Sequence, residues 1–197
     1  MVQPVKKNRF KRYGIILLAV FLLFAGVFWG GVKFRLFRPP YHAVIKSVVY
    51  FFDAPEAAYN FDVVVPGKIY RSGQPDERFI RYIKDKYHVT HIISLNGFRE
   101  VHRFAKKSGI KVDSFKWSTK RLPPREELEK VQNIFKGDGT VLIHCAGGSD
   151  RTGYSVVIYR VREQGWPLDK AVEEMGGYWH KPETKPVLHR QLKELLE

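Results

Sequence analysis

Residues 140–164, TVLIHCAGGSDRTGYSVVIYRVREQ, pass from a continuous apolar run through a glycine-bearing turn into helical periodicity. A short apolar run bounded by turn residues predicts a buried β-strand, and spacing near 3.6 from Thr152 to Gln164 predicts a helix. Cys145–Arg151 must then be the loop joining strand end to helix start. In open α/β sheets that is the edge where ligands bind, so this stretch constrains both the fold and the place of any site.

Neighbouring segments repeat the alternation. Gly67–Gln74, GKIYRSGQ, reads as a short strand entering a turn at Ser72–Pro75, and Asp76–Lys86 spaces its apolar residues as a helix does. Thr90–Gly97 predicts a buried strand, Arg99–Ser108 a helix closed by Gly109, and Ile110–Trp117 a half-exposed strand with a period near two. Pro123 and Pro124 mark the start of the amphipathic helix REELEKVQNIF, and Leu168–Met175 and Lys185–Leu196 predict two short closing helices. Beyond the N-terminus the chain has about 150 residues, enough for one compact α/β domain with a buried core. It contains no internal repeat and no low-complexity tract.

Cys145 is the only cysteine, which excludes an intramolecular disulfide and a cysteine-cluster metal site, so a special role must rest on its reactivity. A helix N-terminus presents unpaired N–H groups and partial positive charge, and a preceding glycine-bearing loop curls further N–H groups around the same point. Arg151 adds a planar fork for two phosphate oxygens, and the combined field favours the thiolate, the form that attacks. The chemistry this predicts is in-line attack of Cys145 on a phosphate monoester, giving a phosphocysteine that water hydrolyses. The phosphate-binding loop comprises Ala146, Gly147, Gly148, Ser149, Asp150 and Arg151. Thr152 is placed to donate to the departing thiolate, Gly147 and Gly148 let the backbone turn inward, Gly153 permits close helix packing, and His144 braces the loop from behind. The ordinary alternative is a buried, inert cysteine with a solvated arginine, but HC, five residues and RTG between strand and helix favours chemistry.

His144–Gly153 resembles the signature of the cysteine-dependent protein-tyrosine and dual-specificity phosphatase superfamily, matched over its whole length. IYRSGQP, Ile69–Pro75, is similar to the entry motif of the compact atypical dual-specificity phosphatases of bacteria, fungi and plants. With IISLNG, the helix before the loop and AVEEM (Ala171–Met175), the resemblance spans roughly Val63 to Met175. It implies a central, mostly parallel sheet flanked by helices, with no metal and no cofactor.

One part of the family pattern is missing. These enzymes use a general acid on a loop about 30 residues before the cysteine, and here that loop, STKRLPP (Ser118–Pro124), has no aspartate. Asp113 sits within a predicted strand, and Glu126 and Glu127 fall in the first turn of the following helix. Asp150 is the better candidate for the acid, with a structural role, orienting Arg151 or accepting loop N–H groups, an equal alternative. The C-x-x-G-x-D-R-T arrangement also resembles superfamily members that take phosphoinositides or act on both lipid and protein. Lys116, Lys120, Arg121 and Arg125 flank the overhanging loop and suit a substrate with several phosphates, a solvated basic surface being the alternative. His180, in GGYWHKPETKP, is assigned no role.

Gly14–Val32 carries no charge, and nineteen helical residues cover most of a bilayer core about 30 Å thick. Lys33, Phe34 and Arg35 offer no signal-peptidase site, and a core helix would be less uniformly apolar. The expected organisation is a basic tail (1–13), a transmembrane helix (14–32), a juxtamembrane segment and domain entry (33–62) and a phosphatase domain (63–197). Within the third part, Val44–Phe52 reads equally as an interfacial segment or as the first element of the fold. Lys6, Lys7, Arg9, Lys11 and Arg12 precede the span and Lys33, Arg35 and Arg38 follow it, which favours a cytoplasmic N-terminus. A single-pass protein of a bacterial inner membrane, with its domain on the outer side, is the expectation. The net charge of +14, 34 basic against 20 acidic residues, calls for an anionic partner: a bilayer, a phosphorylated protein or a phospholipid. No zinc-finger or RNA-binding signature supports nucleic acid. Two other functions compete: a rhodanese-like sulfurtransferase, and a catalytically inactive phosphate-binding module.

Overall fold

The computed structural model describes residues 18–27, 30, 50–51 and 55–197. The chain divides into two compact units, 1–37 and 38–197. In the first, residues 18–27 are helical and exposed. Among the described residues no helix is long and apolar enough to cross a membrane. The expected span at 14–32 lies partly outside the described residues.

In the second unit a 3-10 turn at Pro55–Tyr59 leads into β1 (Asp62–Val65), β2 (Ile69–Ser72), α1 (Glu77–Tyr87), β3 (His91–Ser94), α2 (Glu100–Lys107), β4 (Lys111–Ser114) and α3 (Arg125–Lys136). There follow β5 (Val141–His144), α4 (Asp150–Gln164), α5 (Leu168–Gly176), a 3-10 turn at Pro182–Thr184 and α6 (Pro186–Leu196). The sheet order is β1-β2-β5-β3-β4. β2, β5, β3 and β4 are parallel to their neighbours, and β1 closes the edge antiparallel to β2. The α/β class and the mostly parallel sheet agree with the sequence. β1 was not legible as a strand, because VVV before Pro66 is too short to show alternation.

Position in the sheet explains composition. β2 and β5 are buried along their whole length, and Ile69, Ile92, Ile93, Leu142 and Ile143 are fully enclosed. Full enclosure of such a side chain is worth about 1.5–3 kcal/mol, an upper figure because unfolded chains already bury some apolar surface. Ser72, His144 and Ser94 stand level across β2, β5 and β3, so the turns that follow these strands emerge side by side. The helix after β5 is buried over Thr152–Ile158, as a helix enclosed by a sheet and neighbouring helices must be. It begins at Asp150 rather than Thr152, which moves Asp150 and Arg151 from the loop to the first helical turn. A Cβ on Gly153 would lie 2.7 Å from Cε of Met175, so glycine there lets α5 approach α4 closely.

Candidate active site

Cys145 follows β5 directly and is 2% exposed. The chain then reverses at Gly148, whose φ of +75° is left-handed and whose added Cβ would sit 2.7–2.9 Å from the backbone of Ser72 and Gly73. Only glycine fits there, on both counts. Gly147 was expected to share this need, but its φ is ordinary and a Cβ would only touch Ser149 Oγ at 3.5 Å.

Three consecutive loop carbonyls are tied from outside. The Ala146 carbonyl accepts from the Gln74 N–H at 3.0 Å, the Gly147 carbonyl from Asn60 Nδ2 at 2.9 Å, and the Gly148 carbonyl from Arg71 Nη2 at 2.8 Å. A trans peptide sets its N–H opposite its carbonyl, so pinning the oxygens outward turns the N–H groups of Gly147, Gly148 and Ser149 inward. The Gly148 N–H meets Cys145 Sγ at 3.2 Å. Arg71 is 1% exposed, its guanidinium 3.4 Å from the Tyr178 ring centroid, and it brings a buried positive charge to the back of the loop.

Arg151 and Thr152 follow the loop in the first turn of α4. Arg151 lines the cavity, while its Nε and the hydroxyl of Thr152 are buried with no hydrogen-bond partner among the described residues. Buried polar atoms rarely go unpaired, and two donors in this state beside a cysteine are the complement of an anion. His144 takes the predicted bracing position, fully buried with Nδ1 3.3 Å from the Cys145 carbonyl oxygen. Burial, and then the charge of Arg151, lower its pKa to about 4 against a counteracting hydrogen bond to that carbonyl.

A measurable consequence follows from His144. The unfolded imidazole takes up a proton below its ordinary value of 6.5 while the folded one resists to about 4. Stability from this group is therefore present above pH 6.5 and is lost as pH falls toward 4. The loss is about 3 kcal/mol at about 1.4 kcal/mol per pH unit. Denaturant titrations across this range should show the loss in the wild-type protein and its absence in His144→Asn.

Asp150, placed by sequence among the catalytic residues, does line the cavity, in the first turn of α4. Its Oδ1 lies 2.6 Å from His180 Nδ1 and its Oδ2 3.8 Å from Lys185 Nζ. Burial raises its pKa, but the hydrogen bond from His180 and the nearby positive charges, Lys185 and Arg151 among them, together bring it below the ordinary value. The carboxylate therefore rests ionised. Asp113 is elsewhere, on β4 between His91 (2.8 Å) and Lys130 (3.1 Å). Glu126 and Glu127 occupy the first turn of α3, and Glu127 accepts from the Trp117 indole.

The cavity has a volume of about 680 Å³. Its walls are the loop, Tyr59, Gly73, Gln74 and Thr119, and a C-terminal flank of Trp179, Lys181 and Lys185. The basic residues facing it are thus Arg151, Lys181 and Lys185. The loop expected to overhang the site reaches it through Thr119, but Lys116, Lys120, Arg121 and Arg125, expected to flank that loop, are not in the cavity walls, and Lys116 lines a separate small depression with Arg99 and His102. Asn60, Arg71 and the two wall lysines were not singled out from the sequence, and His180 was assigned no role. Only Arg71 left a signal, a charged residue inside an otherwise apolar strand.

A cysteine at the foot of an N–H-lined loop, closed by an arginine on the first turn of a helix and mounted on a parallel sheet, is the arrangement of the cysteine-dependent phosphatases. The chain belongs to the tyrosine phosphatase family, whose sequence model matches residues 57–190. Dual specificity protein phosphatase TpbA of Pseudomonas aeruginosa is 34% identical over 73 residues, 35% of this chain and 34% of that protein. The matched segment is thus about a third of the length of that curated relative. The crystal structure of P. aeruginosa TpbA has a TM-score of 0.60 at 23% identity, with 70% of this chain and 85% of that one covered. The core catalytic domain of the PP-IP phosphatase SIW14 from S. cerevisiae has a TM-score of 0.53 at 28% identity, covering 60% and 75%. PTPMT1 has a TM-score of 0.55 at 18% identity, covering 68% and 94%.

Proposed function

We propose that this chain is a membrane-anchored, cysteine-dependent phosphatase that hydrolyses phosphate monoesters through a phosphocysteine. The observation that carries the reading is the pinned loop. Three outward carbonyls hold inward N–H groups around Cys145 Sγ, and Arg151 Nε and Thr152 Oγ1 lack partners among the described residues. Phosphate oxygens occupy the N–H groups and the Arg151 fork, and the charge of the transition state is met by donors already in place. The Cys145 thiolate bonds to phosphorus in line with the ester oxygen, which departs. Water then displaces the sulfur, whose negative charge Thr152 stabilises.

The substrate is a phosphorylated protein or a phosphoinositide headgroup. The two cavity lysines, Lys181 and Lys185, favour the more highly charged headgroup. Among relatives, TpbA has been seen in complex with phosphotyrosine and PTPMT1 in complex with PI(5)P, which spans the same choice. The charge-free run 14–32 supports a single membrane anchor, and the basic residues before it support a cytoplasmic N-terminus with the domain on the outer face of a bacterial inner membrane.

The test is phosphate release by the full chain in detergent on an aryl phosphate, a phosphotyrosine peptide and phosphoinositide vesicles. Turnover on all three, highest on the vesicles, is the expected result. Highest turnover on the peptide would assign a protein substrate. Binding of phosphate compounds without turnover would leave a phosphate-binding module, and persulfide formation on Cys145 with thiosulfate would indicate a sulfurtransferase. Retention in the membrane pellet after alkaline extraction, with the domain open to external protease in spheroplasts, would support the anchor and its orientation.

A further inference from the structure

Asp150, His180 and His189 form a hydrogen-bonded row that leads from the cavity wall to the protein surface. His180 lies in the loop after α5 with its side chain 1% exposed, and its Nδ1 is 2.6 Å from Asp150 Oδ1. On the other edge of the ring, His180 Nε2 is 2.8 Å from Nε2 of His189. Two ring nitrogens this close form a hydrogen bond only when one carries the hydrogen and the other offers a lone pair. With His180 Nδ1–H donated to the carboxylate, His180 Nε2 accepts from His189 Nε2–H. His189, on α6, is half-exposed and ends the row at solvent.

Two further facts give the row a direction. Among the described residues lining the cavity with Cys145 and Arg151, Asp150 is the one carboxylate. It also rests ionised, because the hydrogen bond from His180 and the nearby positive charges outweigh the effect of burial. A carboxylate in that state serves a leaving group only if a proton reaches it as the bond breaks. An ion pair that merely fixed Asp150 would need His180 alone. The second imidazole, joined nitrogen to nitrogen, adds a route to solvent.

The geometry points to a proton relay in which Asp150 exchanges protons with the reacting atoms and His180 and His189 are positioning residues that connect it to water. The inference rests on the phosphatase reading above. In the first half-reaction the Cys145 sulfur bonds to phosphorus and the P–O ester bond breaks. The proton of His180 Nδ1 passes through the Asp150 carboxylate to the departing oxygen. As it leaves, His180 Nε2 takes the proton of His189 Nε2 and His189 Nδ1 takes one from solvent, in one concerted transfer, so that each imidazole stays neutral. In the second half-reaction a water oxygen bonds to phosphorus as the S–P bond breaks. The water proton passes through Asp150 to His180 Nδ1, and the two imidazoles return one proton to solvent. One proton enters and one leaves in each turnover, so the row ends as it began.

The test uses the full chain with 4-nitrophenyl phosphate, whose leaving group needs no proton, and an alkyl phosphate, whose leaving group does. General acid catalysis is worth about 10²–10⁴-fold. The ratio of aryl to alkyl turnover should therefore rise at least about 10-fold in Asp150→Asn and His180→Gln, and about 3–10-fold in His189→Gln. Imidazole added to the buffer should restore alkyl turnover in His189→Ala, a response that a purely structural histidine does not give. If His180→Gln fails to fold, the His189 variants, altered at a half-exposed position, still decide the matter. Equal losses on both substrates in the His189 variants, with no response to imidazole, would overturn the relay. Absence of turnover by the wild-type protein would overturn the phosphatase reading and the relay with it, so the two failures are distinguishable.

Discussion

Cys145→Ser is expected to lower phosphate release by about 10⁴-fold or more on every substrate, the scale seen when a nucleophile is removed from a machinery that acts as a unit. The serine hydroxyl is nearly the size of the thiol but must lose a proton to attack, and among the described residues no base is bonded to this position. The Gly148 N–H that now meets the sulfur at 3.2 Å can donate to the serine oxygen instead, so the loop should keep its shape. Binding should therefore survive the loss of turnover. Calorimetry with a phosphotyrosine peptide or phosphoinositide vesicles, beside phosphate release, checks both halves of this expectation. Loss of folding together with activity would mean that Cys145 is a core residue first, as its burial also permits.

Gly148→Ala is expected to be nearly as damaging by a different route. The substitution puts a methyl group 2.7–2.9 Å from Gly73 N and from the carbonyl carbon and oxygen of Ser72, in backbone that has no room to yield, at a φ of +75°. Left-handed strain and overlap together should destabilise the protein by about 2–4 kcal/mol. The displaced loop should also lose about 10²-fold or more in turnover, as misplacement of a site by an ångström does. Gly147→Ala is the control for the steric argument. Its methyl group would meet only Ser149 Oγ at 3.5 Å, and its stability should change by less than about 1 kcal/mol. Urea denaturation of the two variants measures the difference directly, and equal destabilisation would contradict the account of the turn.

These two residues were legible in the sequence because everything that identifies them lies within ten consecutive positions, His144–Gly153. A strand, a tight turn and a helix start are local structures, and the anion cradle they form is local chemistry. Arg71 was half legible: IYRSGQP was picked out as a motif, but a strand with an arginine inside it does not say where the guanidinium goes. That it reaches the Gly148 carbonyl, 77 positions away, depends on β2 lying beside β5. Asn60 lies earlier than the boundary drawn at 63, and it holds the Gly147 carbonyl only because the 3-10 turn at Pro55–Tyr59 folds back over the loop.

Charge around the cavity was misplaced for a related reason. Lys120 and Arg121 come from the loop whose family counterpart carries the acid, so sequence distance put them over the site. The chain instead brings Lys181 and Lys185 to the cavity from the segment between α5 and α6. His180 and His189 show the limit most clearly. Nine residues apart in a loop and a helix, they match no motif, and only the packing of α6 against α4 aligns them with Asp150.

The central claim is a covalent phosphocysteine on Cys145. The most direct measurement is to mix the full chain briefly with an excess of aryl phosphate, quench in acid, digest, and weigh the peptide that contains Cys145. The account predicts a phosphoryl group on that cysteine within the first turnover, absent in Cys145→Ser. Steady release of phosphate with Cys145 unmodified at every time point, or a phosphoryl group on another residue, would contradict it.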